Sequence, residues 1–291
     1  MSSPSMPLPP LFLSHGSPMT ALEPGAAGAF LRRLGPAIRA RFGAPRAILA
    51  VSAHTLTRVP VLLAAAQHEA VHDFYGFPEA LYRLRYDAPG APALAGCVQA
   101  LLAQAGIECE RLAEGGLDHG IWTPLSFAFP EAEVPVLPLG FVSSWSPARL
   151  LALGRALAPL AAEGVLVIGS GSLTHNLRLL QGGGGRLPMD APELPQSAAF
   201  RAWVAERAAA ADWAALLDYR RQAPFAALMH PSDEHWLPFY VAAGAAGENA
   251  AGTRLHESVT YGCLAMDAYA FGPQGSSLQQ ALQEPTATAL G

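Results

Sequence analysis

Arg46-Ala47-Ile48-Leu49-Ala50-Val51-Ser52 is an unbroken apolar run between polar ends, followed directly by Ala53-His54. A short continuous run of this kind reads as a strand buried on both faces. Gly164 to Ile168 repeats the pattern and runs into Gly169-Ser170-Gly171-Ser172. Val134 to Leu139, Val59 to Leu63 and the short Pro10 to Leu13 add further strand candidates. Between them lie helical patterns at Phe30 to Phe42 and Ala91 to Ala105. A third opens at Ser146-Pro147, where a capping serine precedes a proline at the first helical position. Gln181 to Leu194 reads as a Gly/Pro-rich loop, Gln196 to about Ala246 as helices, and Leu255 to Thr260 and Leu264 to Phe271 as two final strands. Strands alternating with helices predict an α/β fold: one domain, with a central, mostly parallel sheet and helices on both faces. No linker divides the chain. The expected domain is therefore 1–271, with 272–291 as a loose, patternless tail.

The histidines follow the strands. His15 comes after the first apolar run, His54 after the second, and His175 after Gly164–Ile168 and its Gly/Ser loop. In open α/β sheets, ligand sites collect beyond the carboxyl ends of the strands, so three histidines at such ends can converge. Each one singly reads as a packed core or loop residue. Together they suggest a site, because neutral imidazole is the commonest metal ligand. His230 and His235 flank Pro231-Ser232-Asp233-Glu234, which suits a helix start at Pro231. Either helix-start chemistry or a further ligand at His235 explains that segment. His119 lies in the turn Gly116-Leu117-Asp118-His119-Gly120, where Asp118 is placed to orient a neighbouring imidazole. His72-Asp73-Phe74-Tyr75-Gly76-Phe77-Pro78 is an aromatic loop, either packed on the surface or walling an aromatic ligand.

Composition excludes other chemistries. The chain has 291 residues, and all 18 of its basic residues are arginine. Without lysine, Schiff-base catalysis and a Walker-type phosphate loop are both ruled out. Gly169-Ser170-Gly171-Ser172 matches neither GxGxxG nor GxSxG, which argues against nucleotide binding and a serine nucleophile. A net charge of -5 with scattered arginines argues against a nucleic-acid partner. No apolar run reaches the ~18 residues of a membrane span, and no secretory signal is visible. The three cysteines, Cys97, Cys109 and Cys263, read as reduced and mostly buried thiols of a cytoplasmic protein.

Seven motifs in order carry a resemblance. They are Leu11–Met19 (LFLSHGSPM), Val51–His54, His72–Pro78, Leu84–Gly90, Gly116–Leu125 (GLDHGIWTPL), Ile168–Leu177 (IGSGSLTHNL) and His230–Pro238 (HPSDEHWLP). The chain resembles the class III extradiol ring-cleavage dioxygenases, in the subgroup similar to DOPA 4,5-dioxygenase. That resemblance implies a mononuclear metal held by His15, His54 and His235. It implies Fe(II) for activity, with Zn(II) able to occupy the same site. His175 would be the acid/base residue, able to serve as a fourth ligand when substrate is absent, and His119 a histidine that either supports the ligands from behind or faces the substrate. The implied partners are a small aromatic diol and O₂. A zinc-dependent hydrolase using the same histidines is the alternative. Trp122, Trp236 and Tyr240 are open between pocket and core, and Arg83, Arg85 and Arg178 are candidate partners for a substrate carboxylate.

Overall fold

The computed structural model describes residues 6–182 and 185–284. Its main sheet is built from β1 (Leu11–Ser14), β2 (Ala47–Ser52), β3 (Val61–Leu63), β4 (Glu110–Leu112), β5 (Val136–Gly140), β6 (Val165–Gly171), β7 (Gly252–His256) and β8 (Ala268–Phe271). The spatial order is β7-β8-β1-β6-β2-β5-β3-β4. The four central strands, β1-β6-β2-β5, are mutually parallel. Antiparallel pairing attaches β8 and β7 on one side and β3 on the other.

Helices cover both faces. One face carries α1 (Gly25–Phe42) and α3 (His119–Ala128), the other α2 (Pro92–Gln104), α4 (Pro147–Leu157), α5 (Pro195–Ala209) and α6 (Pro238–Ala245). The pleat divides β2 accordingly: Ile48 and Ala50 pack under α1 and α3, while Leu49 and Val51 face the opposite core. Burial on both faces explains why β2 and β6 read as continuous apolar runs. Ser146 caps α4 as its sequence suggested, accepting from the Arg149 N–H.

Several expectations are corrected. A helix, α7 (Gly275–Gln283), stands where a patternless tail was expected, and its Leu278 and Leu282 pack into the core beneath α1. Its apolar residues sit four apart in an otherwise polar segment, a stripe too sparse to read without its partner. Residues 285–291 lie outside the described residues. The helix expected at Pro231 begins instead at Pro238. Trp236 and Leu237 both donate to the Asp233 carbonyl, so Pro231 to Leu237 forms turns. The strand expected at Leu255–Thr260 is split. Gly252–His256 joins the main sheet, and Val259–Thr260 pairs separately with Leu264–Ala265. All three cysteines are free, but only Cys263 is buried. Among the described residues, no helix is long and apolar enough to cross a membrane.

Leu278 is fully buried. Leu278→Ala is expected to cost about 2–4 kcal/mol in urea unfolding. A cost under ~0.5 kcal/mol would mean that α7 does not pack there in solution.

Candidate functional site

The carboxyl ends of the parallel strands deliver the histidines to one place. β1 ends at Ser14 and presents His15. β2 ends at Ser52 and presents His54. The turn between Asp233 and Leu237 brings in His235. The His54 Nε2 lies 3.1 Å from the His15 Nε2 and 3.2 Å from the His235 Nε2. His175 lies flat on His235, with ring centroids 3.4 Å apart and planes 7° apart. The His119 ring packs against His54 at 4.0 Å. All five histidines that the sequence nominated therefore meet. His230 does not join them: it is fully buried, and its Nε2 donates to the Leu173 carbonyl.

Small residues make this convergence possible. A Cβ at Gly171 would stand 2.1 Å from the His235 carbonyl oxygen, and one at Gly169 would stand 2.2 Å from the Pro238 carbonyl oxygen. The Gly169-Ser170-Gly171 sequence thus lets the 235–238 segment lie directly on β6, where the Ser172 N–H holds the His235 carbonyl at 2.9 Å. On the other face, Ser170 meets His15. A Cβ at Gly120 would crowd both Ser52 and His15. Glycines that suggested a phosphate cradle are there for close backbone approach.

The hydrogen bonds around the rings decide where the lone pairs point. The single Ser170 hydroxyl proton goes to the Gly120 carbonyl, so the serine oxygen must accept from the His15 Nδ1–H at 3.0 Å. The His15 Nε2 is left with a bare lone pair. The His235 Nδ1 donates to the Glu234 carboxylate at 3.3 Å, which leaves its Nε2 bare as well. His54 has one proton to offer, and it cannot satisfy both neighbours. At least one lone pair in this trio lacks a donor from the protein, whichever tautomer His54 adopts. A cation shared by the three nitrogens would resolve that conflict. Two nitrogens about 2.0–2.1 Å from a shared metal stand about 2.9 Å apart at a right angle and about 3.4 Å apart at the tetrahedral angle. The observed spacings fall inside that interval.

Burial keeps these rings neutral. It drives His15 and His235 well below the ordinary histidine value, aided by the charges of neighbouring histidines. Burial and His119 bring His54 down to about 3, against the pull of Asp73. His175 falls to about 4, chiefly by burial.

Asp73 was overlooked in the sequence. Its Oδ1 accepts from both the backbone N–H and the Nδ1 of His119, each at 2.9 Å, and its Oδ2 lies 3.4 Å from the His54 Nδ1. Burial alone would raise this carboxyl. The hydrogen bonds and charge of His119, with the charge of His54, outweigh it and hold the value at about 2. Asp118, expected to orient an imidazole, instead accepts from Ser52 and Thr55. The same Ser52 oxygen receives the His54 N–H, so Asp118 steadies the turn rather than a ring. Asp73 and His119 are 46 residues apart, so no local pattern links them.

Above the histidines opens a cavity of about 400 Å³. Phe74 and Phe77 form one wall, and Leu177, Leu180 and Leu264 another. Tyr75 points outward. Trp122, Trp236 and Tyr240 are core, each with its polar atom internally bonded. Arg83 and Arg85 pair with Glu79 and Asp87 on the surface, and Arg178 is exposed.

Residues 9–272 match the family described as the catalytic LigB subunit of aromatic ring-opening dioxygenase, and the chain belongs to that family. It is an oxidoreductase of the extradiol ring-opening class. The chain is 38% identical to a 4,5-DOPA dioxygenase extradiol of Beta vulgaris, over 89% of this chain and 95% of that one. It is 35% identical to a protein of the same description from Escherichia coli K12, over 91% and 94%. The crystal structure of an uncharacterized Escherichia coli K12 protein superposes with a TM-score of 0.73 at 30% identity, covering 91% of this chain and all of the other.

Two outcomes follow from the geometry. Gly171→Ala is expected to push His235 off β6 and weaken metal binding at least tenfold in a chelator competition, with the helical CD spectrum retained; unchanged affinity would detach Gly171 from the site. The second concerns acid. Histidines at about 3 to 4 when folded and about 6.5 when unfolded bind fewer protons in the native state. The stability this contributes is complete above pH ~6.5 and is lost as pH falls towards those folded values, by about 1.4 kcal/mol per pH unit for each such histidine. Metal-free protein should therefore show a falling Tm from pH 7 to 4.5, and a flat profile would contradict neutral burial.

Proposed function

We propose that the chain opens the ring of a catechol-type substrate by extradiol cleavage with O₂, using Fe(II) held by His15, His54 and His235. The observation that carries this reading is the trio of Nε2 atoms, 3.1 and 3.2 Å apart, with fewer protons than lone pairs. Bound there, Fe(II) supplies the redox chemistry that joins a catechol to O₂. Zn(II) suits three imidazoles equally well but has no redox chemistry.

His175 is the acid/base residue of this reading. It lines the cavity beside His235 and is neutral at pH 7, so it begins as a base able to take a proton from a substrate hydroxyl. The same proton is then available to an oxygen leaving the cleaved bond. His119, held through Nδ1 by Asp73, borders the cavity with a ring nitrogen within 4.8 Å of those of His15 and His54, and in this reading it orients the diol. Phe74 and Phe77 offer faces and edges to an aromatic ring, and Leu177, Leu180 and Leu264 add apolar contact. A volume of about 400 Å³ leaves room for a ring substituent.

Fe(II)-loaded protein mixed aerobically with a panel of catechols should produce the yellow ring-opened product, and the activity should disappear without O₂. Turnover that persists anaerobically would point to a zinc-dependent hydrolase instead. His175→Ala is expected to keep one equivalent of metal and lose roughly 10²-fold or more in kcat. His15→Ala and His54→Ala should lose the metal. Full retention of one equivalent in either variant would overturn the ligand assignment.

A further inference from the structure

The carboxylate of Asp73 stands between two histidines with different tasks. Oδ1 takes two donors from His119, the backbone N–H that opens α3 and the ring Nδ1–H, both at 2.9 Å. Oδ2 faces the Nδ1 of His54 at 3.4 Å. Asp73 also borders the cavity, and its side chain is 23% exposed, so it is reachable without being free to turn away. His15 and His235 have their own Nδ1 partners, Ser170 and Glu234. For His54 the group nearest that place is the Asp73 carboxylate, at 3.4 Å, an ion-pair distance rather than a formed hydrogen bond.

We infer that Asp73 is a positioning residue that sets the tautomer of two rings at once: it keeps the proton of His54 on Nδ1, so that Nε2 offers its lone pair to the metal, and it fixes His119 towards the substrate. This rests on the reading of His15, His54 and His235 as the metal-holding trio. The chemistry is asymmetric, and that makes it testable. A carboxylate has only acceptors, so both histidines must turn N–H groups towards it. An asparagine at this position keeps one acceptor oxygen and gains an N–H₂ group. The oxygen would stay with the two His119 donors at the helix start. The N–H₂ would then face the His54 Nδ1 and require a lone pair there. The His54 proton would move to Nε2, the atom that points into the trio. Partners of this kind on metal-binding histidines are typically worth 10–100-fold in affinity.

The test is Asp73→Asn in the full chain, with histidine tautomers read by long-range ¹H–¹⁵N NMR on the metal-free protein and Zn(II) affinity read by chelator competition. The expected result has two parts. His54 carries its proton on Nδ1 in the wild type and on Nε2 in the variant, while His119 keeps its Nδ1 proton. Zn(II) affinity falls 10–100-fold. A second variant, Asp73→Ala, should weaken Zn(II) less than Asp73→Asn, because it removes the acceptor without supplying a misplaced donor. A merely structural role predicts the reverse order, since alanine removes more contacts. An unchanged His54 tautomer, an affinity within threefold of wild type, or alanine being the more damaging variant each overturns the inference. If wild-type protein binds no Zn(II) at the trio, the reading of the metal site fails instead, which a mutation at Asp73 would not reveal.

Discussion

Three imidazole lone pairs crowded into a buried space with too few protons are the constraint on which this molecule turns. One metal ion shared by all three would satisfy them. Two of the rings are held by hydrogen bonds on their far side, His15 donating to Ser170 and His235 to Glu234, and the Asp73 carboxylate approaches the far side of His54 at 3.4 Å. The buried His15 ring cannot rotate away without leaving its own Nδ1–H unpaired, and burial opposes relief by protonation. A cation bound there would find its donors already oriented by these partners.

The sheet exists to deliver that arrangement. β1, β6 and β2 lie side by side and parallel, so their carboxyl ends open on the same rim, a strand spacing of about 4.8 Å apart. The glycines of β6 then remove the side chains that would keep the 235–238 segment at ordinary packing distance. A second buried cluster ties the rim down from the other side. Arg201 binds Asp267 through two nitrogens and also binds Glu193. The Asp267 carbonyl in turn receives the Ser14 hydroxyl, one residue before His15. The Ser14 oxygen accepts the Leu173 N–H, so the loops carrying His15 and His175 share one anchor.

The same physics separates the aromatic residues into two populations. Trp236 and Tyr240 are buried with their polar atoms satisfied in a chain that ends on the Leu216 carbonyl. Phe74 and Phe77, with no polar atom to satisfy, can border a cavity that admits a flat ligand. Tyr75, between them, points outward. Residue type alone could not sort these; burial and partner did.

Much of this protein was legible in one dimension. Continuous apolar runs at Arg46–Ser52 and Gly164–Ile168 specified buried parallel strands, because only a strand covered on both faces tolerates apolar residues at every position. Histidines just beyond those runs specified a site at the strand ends, because the topology leaves them nowhere else to go. What stayed hidden was everything that depends on pairing between distant segments. Asp73 reaches His119 across 46 residues, Ser170 reaches His15 across 155, and α7 acquires a buried face only once α1 is in place beneath it. Asp118 beside His119 was the nearer carboxylate in sequence, yet it turned to Ser52 and Thr55. Local periodicity reports how a segment meets an average environment. Which acceptor a given imidazole finds, and so which of its nitrogens carries the proton, is decided only when the chain has closed around it.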